Sequence, residues 1–224
     1  MTRRVLVFDV NETLLDLTAL DPQFARVFGD TRVRREWFQQ LLASAFVSII
    51  TERYTTFAAL GRGALEMVAE RHGRSLADRD RDAILGAMRT LPPHPEAREA
   101  LEQLRARGFR LATLTNSTLE VAQAQLRTAG LDDLFEQVLS ADTVRRLKPA
   151  PEPYRHAADR LGVAAGDVRL IAAHFWDVAG ALAAGCRAAF VARPGQTLDP
   201  NAPRPDIVER DLVDIAERIA AIDS

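Results

Sequence analysis

Short apolar runs recur along this chain at intervals that mostly leave room for one helix between them, and this rhythm restricts the fold more than any other feature. The runs cover residues 4–8, 109–115, 137–140, 168–173 and 187–192, with a weaker one at 206–208. Each is brief and rich in aliphatic or β-branched residues, so each reads as a buried strand. The intervening stretches 95–108, 119–130, 151–162 and 178–185 are amphipathic. They close on glycines 108, 130, 162 and 185, as the left-handed position after a helix favours. Strands alternating with helices of this length predict an α/β fold: a Rossmann-like, doubly wound parallel sheet.

Residues 16–92 break the rhythm. They show no strand pattern and read as helices over 22–28, 31–54, 56–72 and 78–91. The first crossover therefore carries an all-helical insertion, and Pro92-Pro93-His94-Pro95 forms a stiff return. The expected division is a core domain of residues 1–15 and 93–224 and a helical cap domain of residues 16–92. Such a cap covers the carboxyl edge of the sheet and excludes water. Residues 193–205, with four prolines, read as a surface loop.

Composition narrows the function. With 224 residues, 47% of them hydrophobic, the chain can bury one sizeable core. A net charge of −2, from 29 basic and 31 acidic residues, gives no case for nucleic acid or an anionic membrane. An aromatic content of 6% argues against a base-stacking surface. Cys186 is the single cysteine, so no internal disulfide forms, and it reads as a small buried residue. No signal peptide or membrane-length apolar run is seen, so the expected location is cytoplasmic.

In a parallel sheet the strand ends converge on one edge. Asp9 closes the first strand and is followed by Asn11 and Thr13. An ionised Asp there is either a nucleophile or a helix N-cap. The second strand ends in Thr115-Asn116-Ser117, the third leads to Lys148-Pro149, and the fourth to His174 and Asp177. One edge thus gathers two carboxylates, an ammonium, and hydroxyl and amide donors.

The order and spacing of these motifs resemble the haloacid dehalogenase-like hydrolase superfamily over essentially the whole chain, including the place of the insertion. The resemblance implies Asp9 as nucleophile, Thr115 as anion-binding hydroxyl and Lys148 as the cation that steadies Asp9. It implies Asp177 as the acid that orients Lys148, a metal or water. Phosphatases of this superfamily have a second Asp two positions after the nucleophile and a pair of acids in the fourth motif. Here those places hold Asn11 and Asp177 alone, so no metal and no cofactor are expected.

The closer resemblance is to the type II (S)-2-haloacid dehalogenase branch. It rests on Thr115-Asn116, Lys148-Pro-Ala-Pro-Glu-Pro-Tyr154 and Trp176-Asp177-Val-Ala-Gly-Ala. The implied reaction is SN2 displacement of halide by Asp9 on a small 2-haloalkanoic acid. Water then opens the ester at the Asp9 carbonyl, giving a 2-hydroxy acid. Fluoride stays open as a leaving group. Lys148 would lower the Asp9 pKa, and the substrate carboxylate would rest against Thr115, Asn116 and nearby backbone N–H groups. Thr13 joins the catalytic set, and Asn11, Phe38, Phe57, Tyr154 and Trp176 the substrate-binding set. Related enzymes are often homodimers, so Phe46, Val47, Ile49 and Ile50 face either the core or a second copy.

Three places depart from that branch. Asn11 stands where it has Tyr, Phe38 where a cap Arg receives the halide, and Ala172 and His174 where it has Ser and Asn. His174 is read as a general base for ester hydrolysis, as a positioning partner of Asp9 or Asp177, or as a satisfied buried imidazole. Tyr154 either hydrogen-bonds within the site or lies on a helix surface. Asp142 reads as a cap, His72 and His156 as solvated, and Glu12 as pointing away. Two rivals stay open: a magnesium-dependent phosphatase of small phosphorylated metabolites, and a degenerate, non-catalytic member that binds a small carboxylate or a protein.

Overall fold

The computed structural model describes residues 4–223; the outermost limits expected for the core domain, residues 1–3 and 224, lie outside them. Six strands form one parallel sheet: β1 (Val5–Phe8), β2 (Arg110–Thr115), β3 (Gln137–Ser140), β4 (Val168–Ala172), β5 (Arg187–Val191) and β6 (Ile207–Glu209). Their order is β3-β2-β1-β4-β5-β6, so the chain reverses direction across the sheet on either side of β1. That reversal opens the crevice at the carboxyl ends of β1, β2 and β4.

The two-residue period of the strands sorts their side chains onto two faces. Val5, Val7, Leu170 and Ala172 pack with α7 (Pro151–Leu161) and α8 (Phe175–Ala183). Leu6, Phe8, Leu111 and Ile171 share the other cluster with α5 (Ala97–Ala106), α6 (Leu119–Thr128) and α9 (Leu212–Ile222). Gly162 (φ 70°) and Gly185 (φ 90°) end α7 and α8 in the left-handed region, as their sequence positions predict.

Between β1 and α5 lie four helices: α1 (Asp21–Phe28), α2 (Val33–Ile50), α3 (Phe57–Arg71) and α4 (Asp78–Ala87). The second cluster runs on into them through Phe24, Trp37, Leu65 and Ile84. Thr56 caps α3 by accepting the Ala59 N–H at 3.3 Å. Helix α2 stops short of the expected residue 54, because Glu52 takes a left-handed conformation (φ 57°) that a helix cannot continue. Phe46 packs on Trp176, whereas Val47 and Ile50 are exposed. The outgoing and returning chains are tied together: Asp16 N–H donates to Pro92 O at 2.8 Å and His94 N–H to Leu14 O at 2.9 Å.

Two expectations need correction. Helix α8 begins at Phe175 rather than 178, because His174 is extended (φ −106°, ψ 125°) and acts as its N-cap residue, which puts Asp177 in the first turn. The 193–205 loop is anchored, not purely superficial: Arg193 is buried, donating to Thr13 O at 2.9 Å and to Glu96. Among the described residues no helix is long and apolar enough to cross a membrane.

Arg169 lies within β4 with no exposed surface. Its guanidinium holds Asp223 at the end of α9 (2.5 Å) and Asp206 before β6 (2.5 Å). Arg169→Ala leaves the Asp223 carboxylate in the core with Arg4 as its remaining cation. Breaking a buried pair from one side predicts a loss of about 3 kcal/mol in urea denaturation, largely recovered when Asp223 is also made apolar. A loss below about 1 kcal/mol would contradict this account.

Candidate active site

β1 runs extended into Asp9, whose N–H donates to Ile171 O on β4 at 3.0 Å. The register therefore delivers the Asp9 carboxylate to the crevice between the ends of β2 and β4. Thr13 Oγ1 donates to Asp9 Oδ2 at 2.7 Å and accepts the Ala173 N–H at 3.0 Å. One hydroxyl so fixes the carboxylate and ties the loop after β1 to the end of β4.

Lys148 is fully buried. Its Nζ donates to Asp9 Oδ1 (2.9 Å), Asp177 Oδ2 (2.6 Å) and Leu114 O (2.8 Å), which uses all three of its protons. Burial alone would raise the Asp9 pKa. The Lys148 ammonium and then His174 outweigh it and hold the carboxyl well below the usual range. Burial opposes the charge on Lys148 as well, yet Asp177 and Asp9 together raise its pKa. Asp177 moves upward, first through burial, with the Asp9 charge adding to it against the pull of Lys148.

The remaining residues hold this triad in place. Asn116 accepts the Lys148 N–H at 2.7 Å and returns its amide to Lys148 O at 3.2 Å, clamping the backbone that carries the ammonium. Tyr154, which sequence left open, is buried, and its hydroxyl donates to Asp177 Oδ1 at 2.5 Å. Burial and then Asp177 push that phenol well above its ordinary pKa. Thr115 Oγ1 accepts the Ser117 N–H at 3.2 Å.

His174 bridges two acids, neither of them Asp177. Its Nε2 lies 2.8 Å from Glu12 Oε2 and its Nδ1 3.4 Å from Asp9 Oδ2, without hydrogen-bond geometry at Nδ1. Burial would lower its pKa, but the contacts with Asp9 and Glu12 reverse the shift and raise it to about 9. A carboxylate on each side of the ring, Asp9 and Glu12, favours its imidazolium form. Glu12, expected to point away, therefore belongs to the site. Its backbone is left-handed (φ 61°), which swings the side chain back to His174, and Gln196 donates to the same carboxylate oxygen at 3.2 Å.

A cavity of about 10 Å³ lies against Asp9. Asn11, Thr115, Asn116, Phe38, Phe57 and Trp176 line it, together with Lys148, His174 and Leu42, the last not singled out from sequence. Thr13, Asp177 and Tyr154 stand behind this lining. Arg34 and Arg35, one turn from Phe38 on α2, do not reach it. Arg34 is engaged by Asp21 at 2.5 Å, and both line a separate outer cavity of about 530 Å³. Among the described residues no group of three or more His, Cys, Asp or Glu is arranged to hold a metal.

Gln125 and Asp142 were missed or misread. Gln125 is buried on α6 and donates to Asn11 Oδ1 at 3.0 Å. A polar residue between Ala122 and Leu126 on the apolar face of a helix was the available signal. Asp142 accepts from the Tyr54 hydroxyl of the inserted segment, while Ser140 supplies the cap expected of it.

A family model described as haloacid dehalogenase-like hydrolase matches residues 3–185. The chain is 32% identical over 196 residues to (S)-2-haloacid dehalogenase 4A of Burkholderia cepacia, covering 86% of this chain and 84% of that protein. It is 28% identical over 205 residues to haloacetate dehalogenase H-2 of Moraxella sp. (strain B), covering 90% and 91%. The structure of L-2-haloacid dehalogenase from Xanthobacter autotrophicus with chloropropionic acid covalently bound matches with a TM-score of 0.92. That match has 25% identity and covers 99% of this chain and 100% of that one.

The His174 assignment has a thermodynamic consequence. Its folded pKa of about 9 exceeds the ordinary value of 6.5, so its ion pairs stabilise fully below that ordinary value and are lost as pH rises through 9. The stability gap between the parent protein and His174→Gln should therefore shrink by about 3 kcal/mol across that window in urea denaturation. A gap that stays flat or widens with pH would contradict a resting imidazolium.

Proposed function

Because the chain belongs to the haloacid dehalogenase-like hydrolases, we propose that it hydrolyses small 2-haloalkanoic acids through an ester on Asp9, releasing halide and a 2-hydroxy acid. One observation carries this reading: a carboxylate kept ionised by a buried ammonium faces a small cavity walled by Phe38, Leu42, Phe57 and Trp176. Both Asp9 oxygens are held by hydrogen bonds, from Lys148 and Thr13, so the carboxylate is ionised and aligned before substrate arrives.

In the first half-reaction an Asp9 oxygen attacks the carbon bearing the halogen and inverts it. The C–O bond forms, the C–X bond breaks, and its electron pair leaves with the halide. The substrate carboxylate rests against Thr115, Asn116 and neighbouring backbone N–H groups. Lys148 and Thr13 hold Asp9 in line for attack. A cavity of about 10 Å³ has room for about one water, so the substrate is admitted by movement of the layer around it. We assign that movement to residues 16–92, acting as a cap domain on a core of residues 1–15 and 93–224, with the paired crossings near residues 14–16 and 92–94 as its hinge.

In the second half-reaction water attacks the Asp9 ester carbonyl. Ester formation has removed the Asp9 charge that helped keep His174 protonated. Glu12 retains the proton on Nε2, Nδ1 gives its own proton to solvent, and, on the Asp9 side, it then takes the proton of the attacking water. Collapse regenerates the Asp9 carboxylate and frees the hydroxy acid. Over the cycle one water is consumed, and one halide and one proton are released. Neither half requires a metal or cofactor.

Halide release from fluoro-, chloro- and bromoacetate and from both 2-chloropropionate enantiomers tests the reading. Asp9→Asn should lower it by roughly 10³-fold or more. Glu12→Gln should release one equivalent of halide and then stall, with hydrolysis slowed by roughly 10²- to 10⁴-fold and the ester visible in the intact-protein mass. No halide from any of these acids would sink the proposed activity. A Glu12→Gln protein that turns over without accumulating ester would remove the Glu12–His174 base from it.

A further inference from the structure

A buried amide on α6 fixes the orientation of a second amide in the catalytic cavity. Gln125 has no exposed surface, and its Nε2 donates to Met88 O at 2.7 Å and to Asn11 Oδ1 at 3.0 Å. Met88 O is a backbone carbonyl, which only accepts, so it settles which end of the Gln125 carboxamide is nitrogen. Both Nε2 protons are thereby spent, and the Asn11 atom that faces Nε2 must be oxygen. A reversed Asn11 would set two N–H donors against each other in a buried place. A reversed Gln125 would bring its oxygen, now buried without a partner, onto a second acceptor.

The consequence falls on the cavity beside Asp9, which Asn11 lines. With Oδ1 held by Gln125, Asn11 Nδ2 is turned towards Ser117 Oγ, 3.5 Å away. Ser117 follows Thr115 and Asn116, the two residues proposed to receive the substrate carboxylate. One Nδ2 proton faces Ser117, which leaves the other for a ligand. Thr115 Oγ1 accepts the Ser117 N–H at 3.2 Å and so keeps its own proton for the same ligand.

We propose that Gln125 is a positioning residue for substrate recognition: it holds the Asn11 carboxamide with its donor side to the cavity, where Nδ2 binds the substrate carboxylate. The inference rests on the dehalogenase reading above. A carboxamide free to turn presents nitrogen or oxygen, and the oxygen repels a carboxylate. Fixing the flip therefore selects for an anionic substrate. Met88 lies in the inserted segment, in the turn after α4, whereas Asn11 and Gln125 lie outside it. The amide that orients Asn11 is thus itself anchored across the boundary between insertion and core.

Chloroacetate kinetics separate this role from packing. Gln125→Glu keeps size and shape but offers acceptors in place of donors, so Asn11 turns its nitrogen to the new side chain and its oxygen to the cavity. KM should rise by roughly tenfold or more with kcat changed far less, because the lost bond to a charged group is made in ground state and transition state alike. Gln125→Met, which frees Asn11 without reversing it, should raise KM by about twofold, the effect of two orientations equally shared. An equal rise in both variants, or a fall in kcat at constant KM, would reduce Gln125 to packing and overturn its role. In an Asn11→Ala background neither substitution should raise KM further, since Gln125 acts through Asn11. Losses that multiply would overturn that link, and Gln125→Met decides it if the buried carboxylate of Gln125→Glu prevents folding. Propionate, which has the carboxylate and no halogen, gives a readout without turnover. Saturation-transfer NMR should show it bound by the parent protein and weakened by Asn11→Ala and by Gln125→Glu. Binding indifferent to both, in a protein that releases halide, would overturn the inference alone. Binding that depends on both, in a protein that releases no halide from any acid, would keep the carboxylate donor while the dehalogenase reading fell.

Discussion

Everything at the sheet edge depends on the ammonium of Lys148, buried without exposed surface and compensated by two carboxylates and a carbonyl. A charge in that position is tolerable only if each of its protons is bound. The surrounding sequence supplies that geometry. Asn116 clamps the Lys148 backbone, and α8 approaches closely enough to present Asp177 because residue 180 is glycine. A Cβ there would lie 2.6 Å from Pro149 Cβ and 2.7 Å from the Tyr154 hydroxyl. The close crossing of α8 over the 148–149 turn is thus part of the charge compensation, and Tyr154 completes it by taking the second Asp177 oxygen.

A second set of charges overlaps the first at Asp9. Glu12, His174 and Asp9 alternate in sign, so the Asp9 carboxylate has a basic side chain on each side: Lys148 at Oδ1 and His174 near Oδ2. The two cations are not equivalent. Lys148 is held by Asp177 as well as by Asp9, so its charge keeps a partner when Asp9 is esterified in the proposed cycle. His174 owes part of its charge to Asp9, so in the proposed cycle its protonation follows the esterification of Asp9. A fixed cation and a responsive one, on opposite oxygens, suit a reaction whose first half needs a carboxylate and whose second half needs a base.

The sheet, the crossovers and the place of the helical insertion were legible in sequence because they follow from periodicity, and Asp9, Thr13, Thr115, Lys148 and Asp177 because strand ends must converge. Three features were not legible. The left-handed backbone at Glu12 has no signature in a non-glycine residue, yet it decides that the carboxylate faces His174. The start of α8 depends on the extended conformation of His174, which its flanking apolar residues do not reveal. The burial of Arg193 within a proline-rich loop follows from tertiary contacts with Thr13 and Glu96, far away in sequence. Gln125 differs from these, since its polar side chain on an apolar helix face marked it as satisfied by something outside its own helix.

The chemistry and the walls of the cavity come from different parts of the chain. Every charged group at Asp9 is borne by the sheet edge or the first turn of α8, whereas Phe38 and Leu42, one turn apart on α2, and Phe57 at the start of α3 come from the insertion. The inserted helices therefore wall the Asp9 cavity with apolar surface, and the charge they bring nearby, Arg34, lies behind Glu12 at 3.8 Å rather than in the cavity lining. The outer cavity shares Phe38, Leu42, His174 and Trp176 with the inner one. These four side chains are thus the partition between solvent-facing space and Asp9, and substitutions at Phe38 or Leu42 can alter access and substrate size without disturbing the ion pairs of Lys148.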